Sequence, residues 1–417
     1  MRRALPTLTL CLTAALAVPV SAGAGTPLGA TTTTAAAPTA DPVDPAFYET
    51  PADMPDAPGR LLRRQTMEFL LDPAGAHTIE YSAERLLYTS TASDGRTVAT
   101  SGFVLTPKAP WRGEGTRPVV ALAPGTQGLG DQCAPSRSAS LNQYYELEGI
   151  RNLVRAGYTV VVTDYQGLGT EGEHTYMART PHGRALLDAA RAVTGTDAFG
   201  VKGARVGLTG YSQGGAASAA AAELAPTYAP ELDVRGAAVG APAADLAEVA
   251  PKVDGTMMSG LAWFALAGLD AEYDLDLERV LNERGLAKVA EARTQCVPWA
   301  LTQAFQKTSE FTRDGRSFAE LLATDERLAA AVRANRLGSV APAVPSVVTH
   351  SLADDTLPYA QGRQMAREWC TGGASVRLYS AATPTHVGGY VPHSLSQSVF
   401  FGTVFSGKAP VNTCGEF

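Results

Sequence analysis

The stretch LTGYSQGG (208–215) sets Ser212 between Gly210 and Gly214, at G-x-S-x-G spacing. That spacing suits a nucleophile: flanking glycines permit a turn too tight for side chains, which lifts the hydroxyl above the end of a strand. A serine hydroxyl is weak until a base takes its proton. The chain must therefore supply a base and a group to orient it, in the order serine, acid, histidine. Without such partners the octapeptide is only a glycine-rich turn.

Six histidines are present. His77, His174 and His182 precede the serine, which leaves His350, His386 and His393. His350 lies inside the strand-like run VVTHS, ahead of any acid in the required order, and reads as packing beside the acid loop. His386 sits in ATPTHVGG, past the last strand, where a base would hang over the sheet edge. His393 opens a C-terminal helix and reads as a surface or cap residue. His386 is thus the candidate base. The acid belongs just past the preceding strand, where VVTHSLADDTLP offers Asp354 and Asp355. Only one of two successive extended residues can face the imidazole; the other reads as a solvated loop carboxylate. Charge on a carbonyl oxygen under attack needs two N–H donors, one from the residue after the nucleophile and one from an earlier loop. Gln213 and, in APGTQG, Thr126 are the candidates.

These groups need a scaffold, and the rest of the chain reads as one. Residues 78–107 predict antiparallel strands with a turn at Asp94-Gly95. Continuous apolar runs at 117–125, 159–163, 204–212, 234–242, 344–351 and 375–381 predict strands buried on both faces. Helical spacing lies between them, as in GRALLDAARAV (183–193) and the small-residue run AASAAAAELA. Such alternation predicts an α/β fold with a doubly wound, mostly parallel sheet. Between about 245 and 340 the strand runs stop, and stretches such as LDLERVLNERGLAKVAEA and SFAELLATDERLAAAVRANRL predict an inserted helical cap. Above the carboxyl ends of a parallel sheet it would cover the ligand crevice. Within it, MMSGLAWFALAGL (257–269) is apolar nearly all round, as a buried or pocket-lining helix would be.

Composition narrows the function classes. The chain has 417 residues, 45% hydrophobic and 18% charged, with net charge −7; no basic stripe suggests nucleic acid. Arg2 and Arg3, an apolar run to Val20 and then SAGAG read as a secretory signal cleaved near Ala22 or Ala24, taking Cys11 with it. Residues 25–45, rich in Thr, Ala and Pro, read as a flexible leader to a catalytic domain at 46–417. No later run is long enough to span a membrane. Cys133, Cys296, Cys370 and Cys414 remain, an even number suited to an oxidising compartment and lacking metal-ligand spacing. No metal or other cofactor is implied.

The chain resembles the secretory lipases of the lipase A type, α/β-hydrolases, in PGTQGLGDQCAPS, GYTVVVTDYQGLG, GYSQGG, CVPWAL, HSLADDTLP and HVGGY. The resemblance covers most of residues 60–415. It implies hydrolysis of lipid-like esters under a helical cap, with possible partners limited to an ester substrate and its interface. It points to Ser212, Asp354 and His386 as the triad, Asp354 being four residues before Pro358. It also implies the pairings Cys133 with Cys296 and Cys370 with Cys414. A peptidase or polymer esterase on the same fold, and a non-catalytic binding protein, are the competing functions.

Overall fold

Nine strands join in one sheet in the computed structural model of the chain, which describes residues 43–71, 79–139 and 146–417. The signal segment, most of the leader, Cys11 and His77 lie outside the described residues. In chain order the strands are β1 Leu61–Thr66, β2 Tyr81–Thr91, β3 Thr97–Pro107, β4 Val119–Ala123, β5 Thr159–Gln166, β6 Val206–Tyr211, β7 Val234–Gly240, β8 Ser346–Ala353 and β9 Val376–Pro384. Across the sheet they run β1-β2-β3-β5-β4-β6-β7-β8-β9. Pairing is antiparallel from β1 to β5 and parallel from β5 to β9.

Burial on both faces explains the continuous apolar runs. Val119 and Ala121 of β4 and Val161 of β5 pack with Leu186 and Val193 of helix Arg179–Thr194. Their neighbours Val120, Leu122, Val160 and Val162 pack on the opposite face with Ile150 and Leu153 of helix Leu147–Arg155 and Phe401 of helix Tyr390–Phe405. The alanines of helix Gln213–Tyr228 are almost wholly buried in the first of these layers. Strand β1 is absent from the sequence reading. Its LLRRQT places two leucines side by side rather than alternating, and an edge strand with one covered face tolerates that.

From Gly240 to Ser346 the described elements are helices and short 3-10 turns, with their own core around Trp263, Phe264, Phe311 and Phe318. The two long helical stretches expected there are each broken by a capping side chain. Asn282 accepts from Gly285 N–H and starts helix Glu283–Ala292 afresh. Asp325 ends helix Phe318–Thr324 and caps Glu326–Asn335 through Arg327 and Leu328 N–H. No helix among the described residues is long and apolar enough to cross a membrane.

Disulfides join Cys133 to Cys296, with Cα atoms 5.4 Å apart, and Cys370 to Cys414, 5.6 Å apart. The first ties the loop after β4 to the helical insertion, across a sequence separation of 163 residues. The second spans 44. Chain-entropy arguments assign roughly 5 and 4 kcal/mol to closures of these lengths. Titration of the folded chain without the segment that bears Cys11 is expected to find no free thiol, and reduction should lower the melting temperature by many degrees. Two free thiols per chain would remove one bridge.

Candidate active site

Ser212 stands alone between the last residue of β6 and the first of helix Gln213–Tyr228, at φ 61° and ψ −117°. A non-glycine residue there costs on the order of 1–3 kcal/mol and persists only where its surroundings enforce it. The enforcement is visible. Ser212 N–H donates to Gly240 O at 2.9 Å, and Ala216 N–H donates to Ser212 O at 3.0 Å. A Cβ on Gly214 would collide with the carbonyl of Ala123, and one on Gly210 with that of Gly214. The turn can therefore press against β4 only because both residues are glycine.

Asp354 follows β8 and accepts at both oxygens. Oδ1 takes the N–H groups of Thr356 (3.0 Å) and Leu357 (2.7 Å). Oδ2 lies 2.8 Å from His386 Nδ1 and 3.3 Å from His350 Nε2. Burial alone would raise this carboxyl, but the hydrogen bonds from His350 and His386 hold it well below the usual carboxylate range. An ionised Asp354 fixes the His386 proton on Nδ1 and leaves Nε2 as the acceptor, the tautomer a general base requires.

The main chain of His386 is held as firmly as its ring. Its N–H donates to Asp355 Oδ1 at 2.9 Å, and its C=O accepts from Tyr211 Oη at 2.6 Å. The exposed Asp355 is therefore more than a solvated carboxylate, and Tyr211 connects the turn beside Ser212 to the loop bearing the imidazole. Sequence reasoning named neither contact. His350 does pack beside the acid loop, its Nε2 also 3.0 Å from Leu357 O. His393 is a correction. It is buried in the first turns of its helix, its ring 5.5 Å from that of Tyr211, because the helix turns His393 and Gln397 toward the sheet and leaves Val391, Leu395 and Val399 exposed.

The loop after β4 lies under the same turn. Gly125 N–H donates to the buried carboxylate of Glu146 (3.0 Å), Tyr165 Oη donates to Pro124 O (2.6 Å), and Thr126 Oγ1 meets Tyr176 Oη (2.6 Å). Thr126 is buried in this frame. Gln213 opens the helix, where the first N–H groups have no carbonyl within the helix; its side chain reaches His174 Nε2 at 3.3 Å.

Beyond Ser212 opens a pocket of about 850 Å³, solvent at its mouth included. Tyr176, Thr356 and Leu357 line it beside Ser212, and the remaining wall is almost wholly aliphatic, from Leu246, Val249, Leu261, Leu269, Leu321 and Val332 among others. Helix Gly260–Tyr273 serves both readings made of it. Trp263 packs into the insertion's core, while Leu261, Ala262 and Ala265 face the pocket.

Three buried imidazoles near this site predict acid sensitivity. Burial pulls His174 down to about 4 and His393 to about 3, and burial with the neighbouring His174 lowers His182 as well. Each folded value lies below the unfolded one, so the unfolded chain binds more protons in that window. The stability involved is complete above about pH 6.5 and is lost as pH falls toward 4. Asp164, raised by burial to about 6, and Asp188, also raised by burial, act the other way. Glu272, raised by burial too, joins them; with His174 and His393 displaced furthest from their ordinary value, the melting temperature is expected to fall from pH 6.5 to 4, and a flat profile would contradict this.

The sequence profile of the secretory lipase family matches residues 134–412. A secreted triacylglycerol lipase of Malassezia globosa is 27% identical over 391 residues, covering 88% of this chain and 80% of its own. A protein of Mycobacterium tuberculosis described as a probable inactive lipase is 28% identical over 362 residues, 83% of this chain and 78% of its own. Among solved structures, Candida antarctica lipase A superposes with a TM-score of 0.76 at 22% identity, over 89% of this chain and 88% of that one. That likeness shows a shared α/β-hydrolase fold.

Proposed function

The chain belongs to the secretory lipase family and is a lipid ester hydrolase, and from that premise we propose that it works as an exported serine enzyme with a Ser212-His386-Asp354 triad. The observation that carries the reading is that Ser212, held on its strained turn, lines the same apolar pocket as Thr356 and Leu357 of the loop whose Asp354 binds His386 Nδ1. Ser212 Oγ attacks the ester carbonyl while His386 Nε2 takes its proton. The oxyanion is received by the N–H groups of Gln213 and Thr126. Collapse expels the alcohol, which takes the proton back from His386 and leaves the acyl group on Ser212. A water activated by the same imidazole then attacks the acyl carbonyl, and the freed acid leaves with the serine hydroxyl restored.

In this reading residues 245–340 are a cap whose aliphatic wall receives the acyl chain. Export, with signal removal near Ala22 or Ala24, fits the two disulfides, which persist in oxidising compartments. A fluorophosphonate probe tests the chemistry: labelling is expected at Ser212, and an unlabelled Ser212 would sink the enzymatic reading. The same probe decides the second reading, a non-catalytic lipid binder, which the likeness to a probable inactive lipase brings forward. Initial rates on p-nitrophenyl esters should rise with acyl length until the pocket is filled. A preference for acetyl over every longer chain would count against the pocket as the acyl site.

A further inference from the structure

The two segments assigned to the oxyanion lie far apart in the chain, yet one cluster of buried rings touches both. Strand β5 bulges near its end: Gly102 faces Thr163 and Ser101 faces Tyr165, so Asp164 is the extra residue. Bulges re-aim side chains. This one leaves Tyr165 at φ 72°, left-handed backbone that a bulky residue adopts only where its surroundings enforce it. The Tyr165 ring lies 4.4 Å from that of His182 and 5.8 Å from that of His174, and the two imidazoles are 5.3 Å apart, all nearly parallel. Tyr165 Oη donates to Pro124 O (2.6 Å), two residues before Thr126. His174 Nε2 meets the side-chain amide of Gln213 (3.3 Å).

The partners of His174 fix its tautomer. Nδ1 lies 3.0 Å from Gln166 O, and a carbonyl only accepts, so Nδ1 carries the proton. Burial pulls the ring down to about 4, which keeps it neutral at ordinary pH. Nε2 is therefore a bare lone pair, and the Gln213 amide donates to it. Gln213 is buried as well, so its amide has no bulk water to turn to. This residue opens helix Gln213–Tyr228, where main-chain N–H groups are unpaired and helix ends fray. Tethering the far end of its side chain to a buried imidazole removes that freedom.

We propose that His174 is a positioning residue for ester hydrolysis: by accepting from the Gln213 side chain, it aims the Gln213 N–H at the oxygen that gains charge in the transition state. The proposal rests on the serine-enzyme reading and adds what holds its oxyanion donor in place. His174 does not line the pocket beyond Ser212, so its effect reaches the reacting atoms through Gln213. Without the acceptor, a buried amide N–H is left unpaired and must move to find another partner. The main-chain N–H moves with it.

The test compares two ligands of one chain length, an alkyl trifluoromethyl ketone and the matching methyl ketone. With the first, Ser212 Oγ bonds to the carbonyl carbon, its proton passes to His386 Nε2, and the carbonyl π pair becomes an alkoxide at the oxyanion site. The methyl ketone is too weak an electrophile to add, and it reports the pocket alone. His174→Phe keeps a ring in the cluster and drops the acceptor. It should lose about thirty-fold in kcat/KM and in trifluoromethyl ketone affinity, part of the roughly hundred-fold or more that follows loss of an oxyanion donor. Methyl ketone affinity should hardly change. His174→Gln, whose amide oxygen accepts, should recover most of both losses. Gln213→Leu breaks the same bond from its other side, keeps the main-chain N–H, and carries the test where His174→Phe does not fold. Its loss should match, and the double variant should lose no more than either single one. Unchanged trifluoromethyl ketone affinity in His174→Phe or Gln213→Leu, equal losses for both ketones, additive losses in the double variant, or no recovery in His174→Gln would overturn the proposal. An unmutated chain that hydrolyses no ester and binds the two ketones alike would instead overturn the serine-enzyme reading itself.

Discussion

Ser212→Ala is expected to lower ester turnover by about a million-fold while the protein folds and is exported as before, the scale seen when a triad nucleophile is removed. The two halves of this expectation have separate causes. Alanine keeps the Cβ, so the strained turn at φ 61° is no worse than before, and the main-chain bonds to Gly240 and from Ala216 do not involve the lost oxygen. A small change at a half-buried turn should move stability by no more than about 0.5–1 kcal/mol. Turnover has no such redundancy, because no other nucleophile is offered at the head of that helix. Residual turnover above a few per cent, in protein shown free of wild-type carry-over, would refute Ser212 as nucleophile.

Asp354→Asn should cost on the order of 10⁴-fold in turnover. Asparagine can still accept from Thr356 and Leu357 N–H with its carbonyl oxygen, so the loop keeps its shape. That choice turns its NH₂ toward His386 Nδ1 and His350 Nε2, where the carboxylate had accepted. The imidazole must then carry its proton on Nε2, and it can no longer take one from a serine. Asp355→Asn is the control. It accepts the His386 N–H at 2.9 Å and the Thr356 hydroxyl at 3.3 Å, both at Oδ1, which an amide oxygen can do as well, so turnover should stay within a few-fold of the parent. Asp355→Ala, with no acceptor, should fall further than Asp355→Asn and far less than Asp354→Asn. A reversed order would put the triad acid at 355; equal mild losses would place it elsewhere.

The parts of this site that could be read from sequence are those whose chemistry imposes an order along the chain. Ser212, the acid pair and His386 each sit just past a strand, and buried strands announce themselves as apolar runs. The clamps around them leave no such trace. Tyr211 Oη reaches the carbonyl of a residue 175 positions away, and any side chain with a hydroxyl at that height could do so. His350 is legible as a neighbour of the acid loop, but the approach of its Nε2 to Asp354 Oδ2 at 3.3 Å is not. His393 was misread for an instructive reason. Helix Tyr390–Phe405 exposes Val391, Leu395 and Val399 and buries His393, Ser394 and Gln397, so the rule that places apolar residues inside points the wrong way over its first turns. Thr209 Oγ1, which donates to Gln397 Oε1 at 2.7 Å, is the polar partner that makes the inversion stable.

The Cys133–Cys296 bridge has company that decides how the molecule can be divided. Beside it, Val297 N–H donates to Gln127 O (2.7 Å) and Leu129 N–H to Gln295 O (2.8 Å), and Gly128 pairs with Cys296. Residues 127–133 are therefore stitched to the insertion as closely as to the sheet, although more than a hundred positions of chain intervene. The natural module for recombination between relatives is in consequence discontinuous: a graft of residues 241–345 alone would strand Cys133 and leave the segment beside Thr126 without its edge partner. A chimera that carries 127–133 along with the graft moves the whole interlocking piece, and the boundary of heredity then coincides with the boundary of mechanics.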